Sequence, residues 1–290
     1  MIDLHTHTIN SDGSQTTIEL LKEAEKKGMN YLSITDHNSI RAYKDIKKIN
    51  LKEYYTGEII NGVEITTHYK GELIEVLGYL FDLDKMENGI QKHDMYTSFK
   101  ERYKTRFKLI KDEYAKRGIT FEYDLEDENN DMRDKSIHAE IIKHSENDKF
   151  FLDINHKQTS VSFFRNEVNN PNSKFYIDQT VFFPNLKTVI DLIHESEGLA
   201  FLAHPFIYSK NIVAELENII GNYSLDGIEC FYTTFTEDQT KYLLEIAKKY
   251  DLLISGGSDY HGIMKKDHFL GGFCDDNRAV YECFLEWLRI

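Results

Sequence analysis

Histidine and carboxylate residues recur at the ends of the predicted β-strands. His5 and His7 alternate, so both imidazoles project from the same side of an extended segment. Asp12 lies in the loop after the first strand, and the other members of this set come at or just after the ends of later strands: Asp36, His37, Glu64, His204, Asp259 and His261. Imidazole suits Zn, Mn or Fe, and carboxylates can bridge two cations and offset their charge. The residue types therefore predict a site that holds several divalent metal ions close together.

Alternating strand and helix patterns place these residues in one sheet. The predicted strands cover residues 2–4, 31–35, 58–65, 73–79, 199–203, 227–231 and 252–255. The first helical pattern between them begins with a capping box formed by Thr16 and Glu19. Repeated strand–helix units predict a parallel sheet, and seven strands favour an α/β fold with a barrel-like closure. The carboxyl ends of the strands in such a barrel open on one face, so the metal-binding residues converge there.

The alternation is interrupted by a mainly helical segment over residues 82–182. The sequence thus predicts a barrel domain formed by residues 1–81 and 183–290, and a helical insertion or cap formed by residues 82–182. Arg102 and Arg106 lie four apart on a common face of the strongest helix pattern in this segment. Because arginine forks suit phosphate, these two residues are candidate substrate contacts. Charges on a solvated helix face would give the same pattern.

Composition and charge exclude several classes of protein. The chain has 290 residues and a formal net charge of −14, which argues against binding long nucleic acid or an anionic membrane but allows a small anionic ligand. None of the three cysteines stands in a C-x-x-C pair, so neither a disulfide framework nor a thiolate zinc site is indicated. Because the sequence shows neither a signal peptide nor a long apolar run, we expect a cytoplasmic location and no contact with a membrane.

Five short motifs carry a family resemblance. They are MIDLHTHTINSDG at 1–13, ITDHN at 34–38, NGVEI at 61–65, LAHP at 202–205 and GGSDYHG at 256–262. In this order they resemble the motifs of the PHP (polymerase and histidinol phosphatase) family. The resemblance implies a distorted (β/α)₇ barrel of the TIM-like type. The helical segment after the third motif, and GIE at 227–229, resemble the stand-alone phosphoesterases of this family that act on nucleotides.

The resemblance also implies a cluster of three divalent ions, drawn from Zn, Mn and Fe. The ligands implied for the first ion are His5, His7, Glu64 and Asp259. Those implied for the third ion are Asp12, His37 and His261. The second ion would lie between Glu64, His204 and one further histidine.

The further histidine is expected in the helical segment. In the subgroup it belongs to an Arg-Pro-His-hydrophobic-Ala motif, and this chain has Ser136-Ile137-His138-Ala139 at the corresponding place. His138 therefore matches, while the arginine and the proline of the motif are missing. Lys135 is a candidate to supply the positive charge of the missing arginine and so to contact the substrate. His93 is the alternative candidate for the further ligand of the second ion.

Together these features predict hydrolysis of a phosphomonoester in a small nucleotide, such as a nucleoside monophosphate or 3′,5′-bisphosphate. Clustered cations lower the pKa of a bound water and neutralise the charge that develops during attack on phosphorus. His261 or Asp36 would assist proton transfer, although Asp36 could instead orient a histidine ligand. Three alternatives stay open: a histidinol-phosphate phosphatase, a 5′–3′ exonuclease on short oligonucleotides, and a non-catalytic metal-binding regulatory module.

Overall fold

Seven strands form one sheet whose spatial order follows the order of the chain. The computed structural model describes residues 1–93, 99–124, 134–178, 180–273 and 287–288. The strands are β1 (Ile2–Asp3), β2 (Tyr31–Ile34), β3 (Glu58–Tyr69), β4 (Glu72–Tyr79), β5 (Leu199–Leu202), β6 (Gly227–Tyr232) and β7 (Leu253–Gly257). The seven predicted strands are all present, and β3 continues four residues beyond its predicted end.

The first and last strands come together and nearly close the sheet into a barrel. Thr6, just after β1, forms a parallel bridge with Tyr260, just after β7. A side chain at Gly257 would have its Cβ only 2.3 Å from the Cβ of His5, so this close approach requires glycine. The structure confirms an α/β fold with a distorted TIM-like barrel.

Strand β4 runs against its neighbours, and here the prediction of a parallel sheet is wrong. It pairs antiparallel with both β3 and β5, whereas the other hydrogen-bonded neighbours are parallel. The reason is the short connection between β3 and β4, in which Lys70 and Gly71 both have a positive φ. A tight turn of this kind joins only antiparallel strands, because a parallel connection needs a dozen or more residues.

Ten α-helices accompany the sheet. They are α1 (Thr17–Lys26), α2 (Arg41–Ile46), α3 (Leu83–Lys92), α4 (Phe99–Lys116), α5 (Asp134–Lys143), α6 (Ser160–Phe163), α7 (Leu186–Glu195), α8 (Lys210–Ala214), α9 (Leu216–Asn222) and α10 (Glu237–Tyr250) among the residues described. The predicted capping box at the start of α1 is present, since Thr16 accepts from the Glu19 amide and Glu19 accepts from the Thr16 amide. Within the described ranges, no helix combines the length and the hydropathy that a membrane crossing requires.

The inside of the barrel is filled by large apolar side chains. Leu4, Leu77 and Phe201 belong to this cluster, and all three are fully buried. Trp287, near the C-terminus, packs among them with its ring 4.9 Å from that of Phe201. Its indole Nε1 donates to the Ile254 carbonyl at 2.8 Å. The sequence also predicts a helix over about residues 279–288, of which only residues 287–288 are among those described.

The middle segment has a hydrophobic cluster of its own. Phe107, Ile110 and Tyr114 of α4 are fully buried against Phe163 and Phe175, so the aromatic stripe of α4 is core. The start of the segment is different, because α3 buries Met86 and Ile90 in the cluster that lies between the sheet and the outer helices. The domain boundaries at residues 82 and 182 stay a prediction.

Candidate metal centre

The candidate ligands meet at the carboxyl end of the barrel strands. His5 and His7 follow β1, His37 follows β2, and His204 follows β5. Asp259 and His261 come directly after β7. Glu64 lies within β3, and its backbone forms a parallel β-bridge with that of His37. Parallel strands in a barrel bring these distant residues together, as the sequence predicts.

One group of four ligands surrounds Glu64. Its members are His5, His7, Glu64 and Asp259, and one ligand atom from each lies within 4.8 Å of the others. The Nε2 atoms of His5 and His7 lie 3.2 and 3.3 Å from Glu64 Oε2. All four side chains are at most 2 % exposed. This is the set that the family resemblance implies for the first ion.

A second group opens toward solvent. Its members are His7, Asp12, His37 and His261. The carboxylate of Asp12 is its centre, since Oδ1 lies 3.0 Å from His261 Nε2 and 3.8 Å from His37 Nε2. Because Asp12 is 28 % exposed, this group forms the outer edge of the site.

A third group contains Glu75, a residue that the sequence-based prediction missed. Glu75 lies with His37 and Glu64, and its Oε2 is 3.4 Å from His204 Nε2. His204 Nε2 also lies 2.9 Å from Glu64 Oε1. Glu75 does not belong to the residues at C-terminal strand ends from which the sequence predicts ligands. Since β4 is antiparallel, its N-terminal half lies at the same end of the barrel as those C-termini.

The geometry does not support His138 as the further ligand. Its Nε2 donates to the Lys157 carbonyl at 2.8 Å, and its ring packs against Phe163. His93 ends α3 as an exposed residue. Neither histidine joins a ligand group within the described part of the chain, so Glu75 replaces them as the candidate. The role of His138 as a metal ligand stays a prediction.

The buried nitrogen and oxygen atoms of this cluster fit metal ions. Several candidate ligand atoms are buried without a hydrogen-bond partner among the described residues: His5 Nε2, His7 Nε2, His37 Nδ1, Glu64 Oε2 and His261 Nε2. Unsatisfied buried polar atoms are costly and rare, and here the three atoms of His5, His7 and His37 lie 3.2 to 3.3 Å from Glu64 Oε2, while His261 Nε2 lies 3.0 Å from Asp12 Oδ1. Divalent cations between them would satisfy these atoms together, and nitrogen with carboxylate oxygen is a donor set for Zn, Mn or Fe.

The charges in the cluster are strongly coupled. Burial alone would lower the pKa of His5, but the negative charges of Glu64, Glu229 and Asp259 outweigh it and raise this pKa well above its usual value. Burial and the charge of Glu64 raise the pKa of Glu75. The cluster thus attracts positive charge, in the form of protons or of metal ions.

Neighbouring side chains hold the ligands in place. The Nδ1 of His5 donates to Glu229 Oε1 at 2.9 Å, and Glu229 Oε2 accepts from the His204 amide. The second oxygen of Asp259 accepts from Tyr232 at 2.7 Å and from Lys265 at 2.5 Å. Residues that hydrogen-bond to a metal ligand without binding the metal themselves fix the orientation of that ligand. The sequence had given Glu229 only as part of a family motif.

Asp36, a candidate for proton transfer, is engaged elsewhere. Its Oδ1 accepts from the Thr8 amide and from the Ser11 hydroxyl, each at 2.7 Å, and its Oδ2 accepts from the Thr8 hydroxyl at 2.7 Å. Asp36 is buried and joins none of the ligand groups found among the described residues. These bonds order the loop between His7 and Asp12, and the predicted alternative that Asp36 orients a histidine ligand stays a prediction.

Two ligands have an unusual backbone. His204 and Asp259 have φ values of 24° and 53°, in a region that side-chain-bearing residues rarely occupy. Both lie directly after a strand, where the backbone must turn to aim the side chain into the cluster. Such strain persists where the surrounding structure enforces it, and it is common at functional sites.

The predicted substrate contacts lie in the helical segment. The side chains of Arg102 and Lys135 lie outside the described parts of the structure. Arg106 is 7 % exposed, and its guanidinium lies 5.8 Å from the ring centroid of Phe164. Their roles in substrate binding stay a prediction.

Comparison with known proteins finds one family and several relatives. The model of the PHP domain matches residues 3–250. A 5′–3′ exoribonuclease of Haemophilus influenzae is 29 % identical over 265 residues, which cover 89 % of each chain. A phosphoribosyl 1,2-cyclic phosphate 1,2-diphosphodiesterase of Eggerthella lenta is 24 % identical and covers 90 % of this chain and 94 % of its own.

A solved structure shares the fold. It is a protein of Bifidobacterium adolescentis classed as a metal-dependent phosphoesterase, with a TM-score of 0.65 and 22 % identity. The match covers 97 % of this chain and 94 % of that one. The barrel and the helices between β4 and β5 thus belong to one known architecture.

Proposed function

The chain belongs to the PHP domain family and is a metal-dependent phosphoesterase of that type, and we propose that its substrates are short 5′-phosphorylated RNAs and nucleotides. It would hydrolyse their phosphate esters at a centre of three divalent ions. The observation that carries this proposal is the buried cluster of facing imidazoles and carboxylates, with ligand atoms that lack hydrogen-bond partners among the described residues. This donor set is suited to binding a phosphate group through metal ions.

The residues present assign a ligand set to each ion. The first ion would be held by His5, His7, Glu64 and Asp259. The second would be held by Glu64, Glu75 and His204, and the third by Asp12, His37 and His261. Bound divalent ions supply hydroxide at neutral pH and neutralise the charge on the phosphate oxygens.

The chain itself contributes orientation and proton transfer. Glu229 fixes the ring of His5, while Tyr232 and Lys265 hold Asp259 so that its Oδ1 faces the histidines. The Nδ1 of His261 donates to the Asp259 carbonyl at 2.8 Å, which leaves Nε2 directed at the cluster. Burial and the positive charges of His7 and Lys265 lower the pKa of His261 to about 4. A neutral His261 is therefore available as a metal ligand, whereas as a proton acceptor it would be a weak base at neutral pH.

Short RNA is the first candidate substrate. The exoribonuclease of Haemophilus influenzae matches 89 % of this chain, which favours cleavage at the 5′ end of RNA. The net charge of −14 disfavours long strands, since the phosphate backbone dominates affinity for them. Nucleoside monophosphates and 3′,5′-bisphosphates are the second candidate, favoured by the resemblance of the sequence motifs to the members of the family that act on nucleotides.

A substrate panel with metal controls tests the proposal. The protein is incubated with Mn²⁺ and a 5′-phosphorylated tetranucleotide, with a nucleoside 3′,5′-bisphosphate and with histidinol phosphate, and the products are separated chromatographically. Stepwise release of mononucleotides supports the first candidate, and release of inorganic phosphate supports the second. His7→Ala and Asp259→Ala are expected to abolish either reaction. Full activity in either variant, or in the presence of excess chelator, contradicts the proposal.

A further inference from the structure

A row of aromatic rings leads away from the metal centre. It begins at His204, whose ring centroid lies 5.3 Å from that of Tyr232. Tyr232 is followed by Phe235 at 5.1 Å, and Phe235 is followed by Phe206 at 5.6 Å. Tyr242 ends the row, 5.9 Å from Phe206. These four residues, from Tyr232 to Tyr242, are called the aromatic row below.

The position of the row relates it to the site. Phe206 follows His204 after β5, and Phe235 lies in the loop between β6 and α10. Both loops belong to the barrel end where the ligands meet. Exposure increases along the row, because Tyr232 is 4 % exposed, Phe235 and Phe206 are half-buried, and Tyr242 is 41 % exposed. The row therefore connects the buried cluster with solvent.

We infer that the outer rings of the aromatic row, those of Phe235, Phe206 and Tyr242, bind the bases of the nucleotide substrate. Every base has a π-face, so stacking on the row would hold short RNA of any sequence while its 5′ end lies at the metal centre. The rings are already fixed by their neighbours, which keeps the entropic cost of binding low. This inference rests on the proposed function, and it names the part of the protein that positions the substrate.

Replacing an aromatic residue of the row by leucine tests the inference that the row binds bases. Phe235→Leu and Tyr242→Leu keep an apolar side chain but remove the planar face. For a 5′-phosphorylated tetranucleotide we expect KM to rise about tenfold in either variant, with kcat nearly unchanged. Phe269→Leu is the matched control, because Phe269 is 62 % exposed in the loop after β7 and lies outside the row. Thermal melting checks that the variants are folded, and Tyr242 is exposed enough to be replaced safely.

Base-deleted substrates separate stacking from indirect effects. In the wild-type protein, removal of one base from the tetranucleotide is expected to raise KM about tenfold at the position that stacks. In Phe235→Leu or Tyr242→Leu, the same deletion should raise KM only a little further. The inference is wrong if deletion of each base in turn leaves the KM of the wild-type protein unchanged, or if Phe269→Leu changes KM as much as the row variants do.

A binding measurement distinguishes failure of this inference from failure of the proposed function. The tetranucleotide is labelled with 2-aminopurine, whose fluorescence is quenched by stacking, and is titrated with the metal-loaded protein. If the fluorescence is quenched and the Kd rises about tenfold in the row variants, base binding by the aromatic row is supported even when no ester is hydrolysed. Hydrolysis of the tetranucleotide with the same Kd in all variants supports the proposed function and overturns the role of the row.

Discussion

Glu229 and His5 are joined by a buried hydrogen bond of 2.9 Å between Oε1 and Nδ1. Because a carboxylate accepts, the proton of His5 lies on Nδ1, and Nε2 is left to face Glu64 and Asp259. The other oxygen of Glu229 accepts from the backbone of His204, so one carboxylate positions two candidate ligands.

Replacing Glu229 by alanine is therefore expected to weaken metal binding without removing a ligand. Loss of an outer partner of this kind typically costs about 10-fold to 100-fold in metal affinity. Competition with a chromogenic chelator measures the affinity, and Glu229→Gln, which keeps one acceptor oxygen, should retain more of it. Unchanged affinity in Glu229→Ala would show that packing alone orients His5.

Glu75 and His138 give opposite expectations for metal content. Glu75→Ala should lower the number of metal ions per chain by about one, because it removes a ligand that faces His204 and Glu64. His138→Asn should leave the number unchanged, since His138 is hydrogen-bonded to Lys157 in the helical segment. Elemental analysis of both purified variants decides between them. A loss confined to His138→Asn would restore the original prediction.

Removal of metal is expected to destabilise the folded protein. Four acidic side chains, Asp12, Glu64, Glu75 and Asp259, lie close together and would lose the cations that offset their repulsion. A ligand present at 100 times its Kd stabilises the folded state by about 2.7 kcal/mol, so chelation should lower Tm by several degrees and Mn²⁺ should restore it. Lower pH should weaken metal binding, because protons compete with metal ions for imidazoles such as those of His5, His7 and His204, whose pKa values the neighbouring carboxylates raise. A Tm that does not respond to chelator would contradict a loaded centre.

Asp36→Asn separates a positioning role from proton transfer. If Asp36 acts by ordering the loop that carries His7 and Asp12, the variant should lose stability, by about 1–3 kcal/mol for the impaired buried hydrogen bonds. Activity per bound metal ion should then stay near that of the wild type. Denaturant unfolding and single-turnover rates at several pH values measure the two effects. A rate that falls about 100-fold with full metal content would instead assign the proton transfer to Asp36.

Much of the fold and of the site could be predicted from local sequence patterns. The seven strands and helices such as α4 have clear periodicity or caps, and His5 and His7 stand at a strand end where chemistry is expected. The direction of β4 was not recognised, although its turn signal at Lys70 and Gly71 was visible. Glu75 was missed for the same reason, because its place in the site depends on strand direction and pairing.

Other parts of the site depend on contacts that no single-sequence pattern contains. His138 shares a short motif with the family, yet its neighbours in space are Lys157 and Phe163. Tyr232 and Lys265 hold Asp259 through hydrogen bonds from their side chains. The local sequence around these two residues contains no pattern that indicates this role. Such roles arise from long-range packing and are visible only in three dimensions.

The candidate ligands extend from His5 to His261, so the two ends of this span must meet before the centre exists. During synthesis, β7 and Asp259 are among the last parts of this span to leave the ribosome, and the first ion cannot gain its full ligand set before then. A chain that stops after β6 would carry His5, His7 and Glu64 without their partner. With the proposed ligand sets, metal acquisition would be coupled to completion of the barrel, and a truncated translation product would lack the first site.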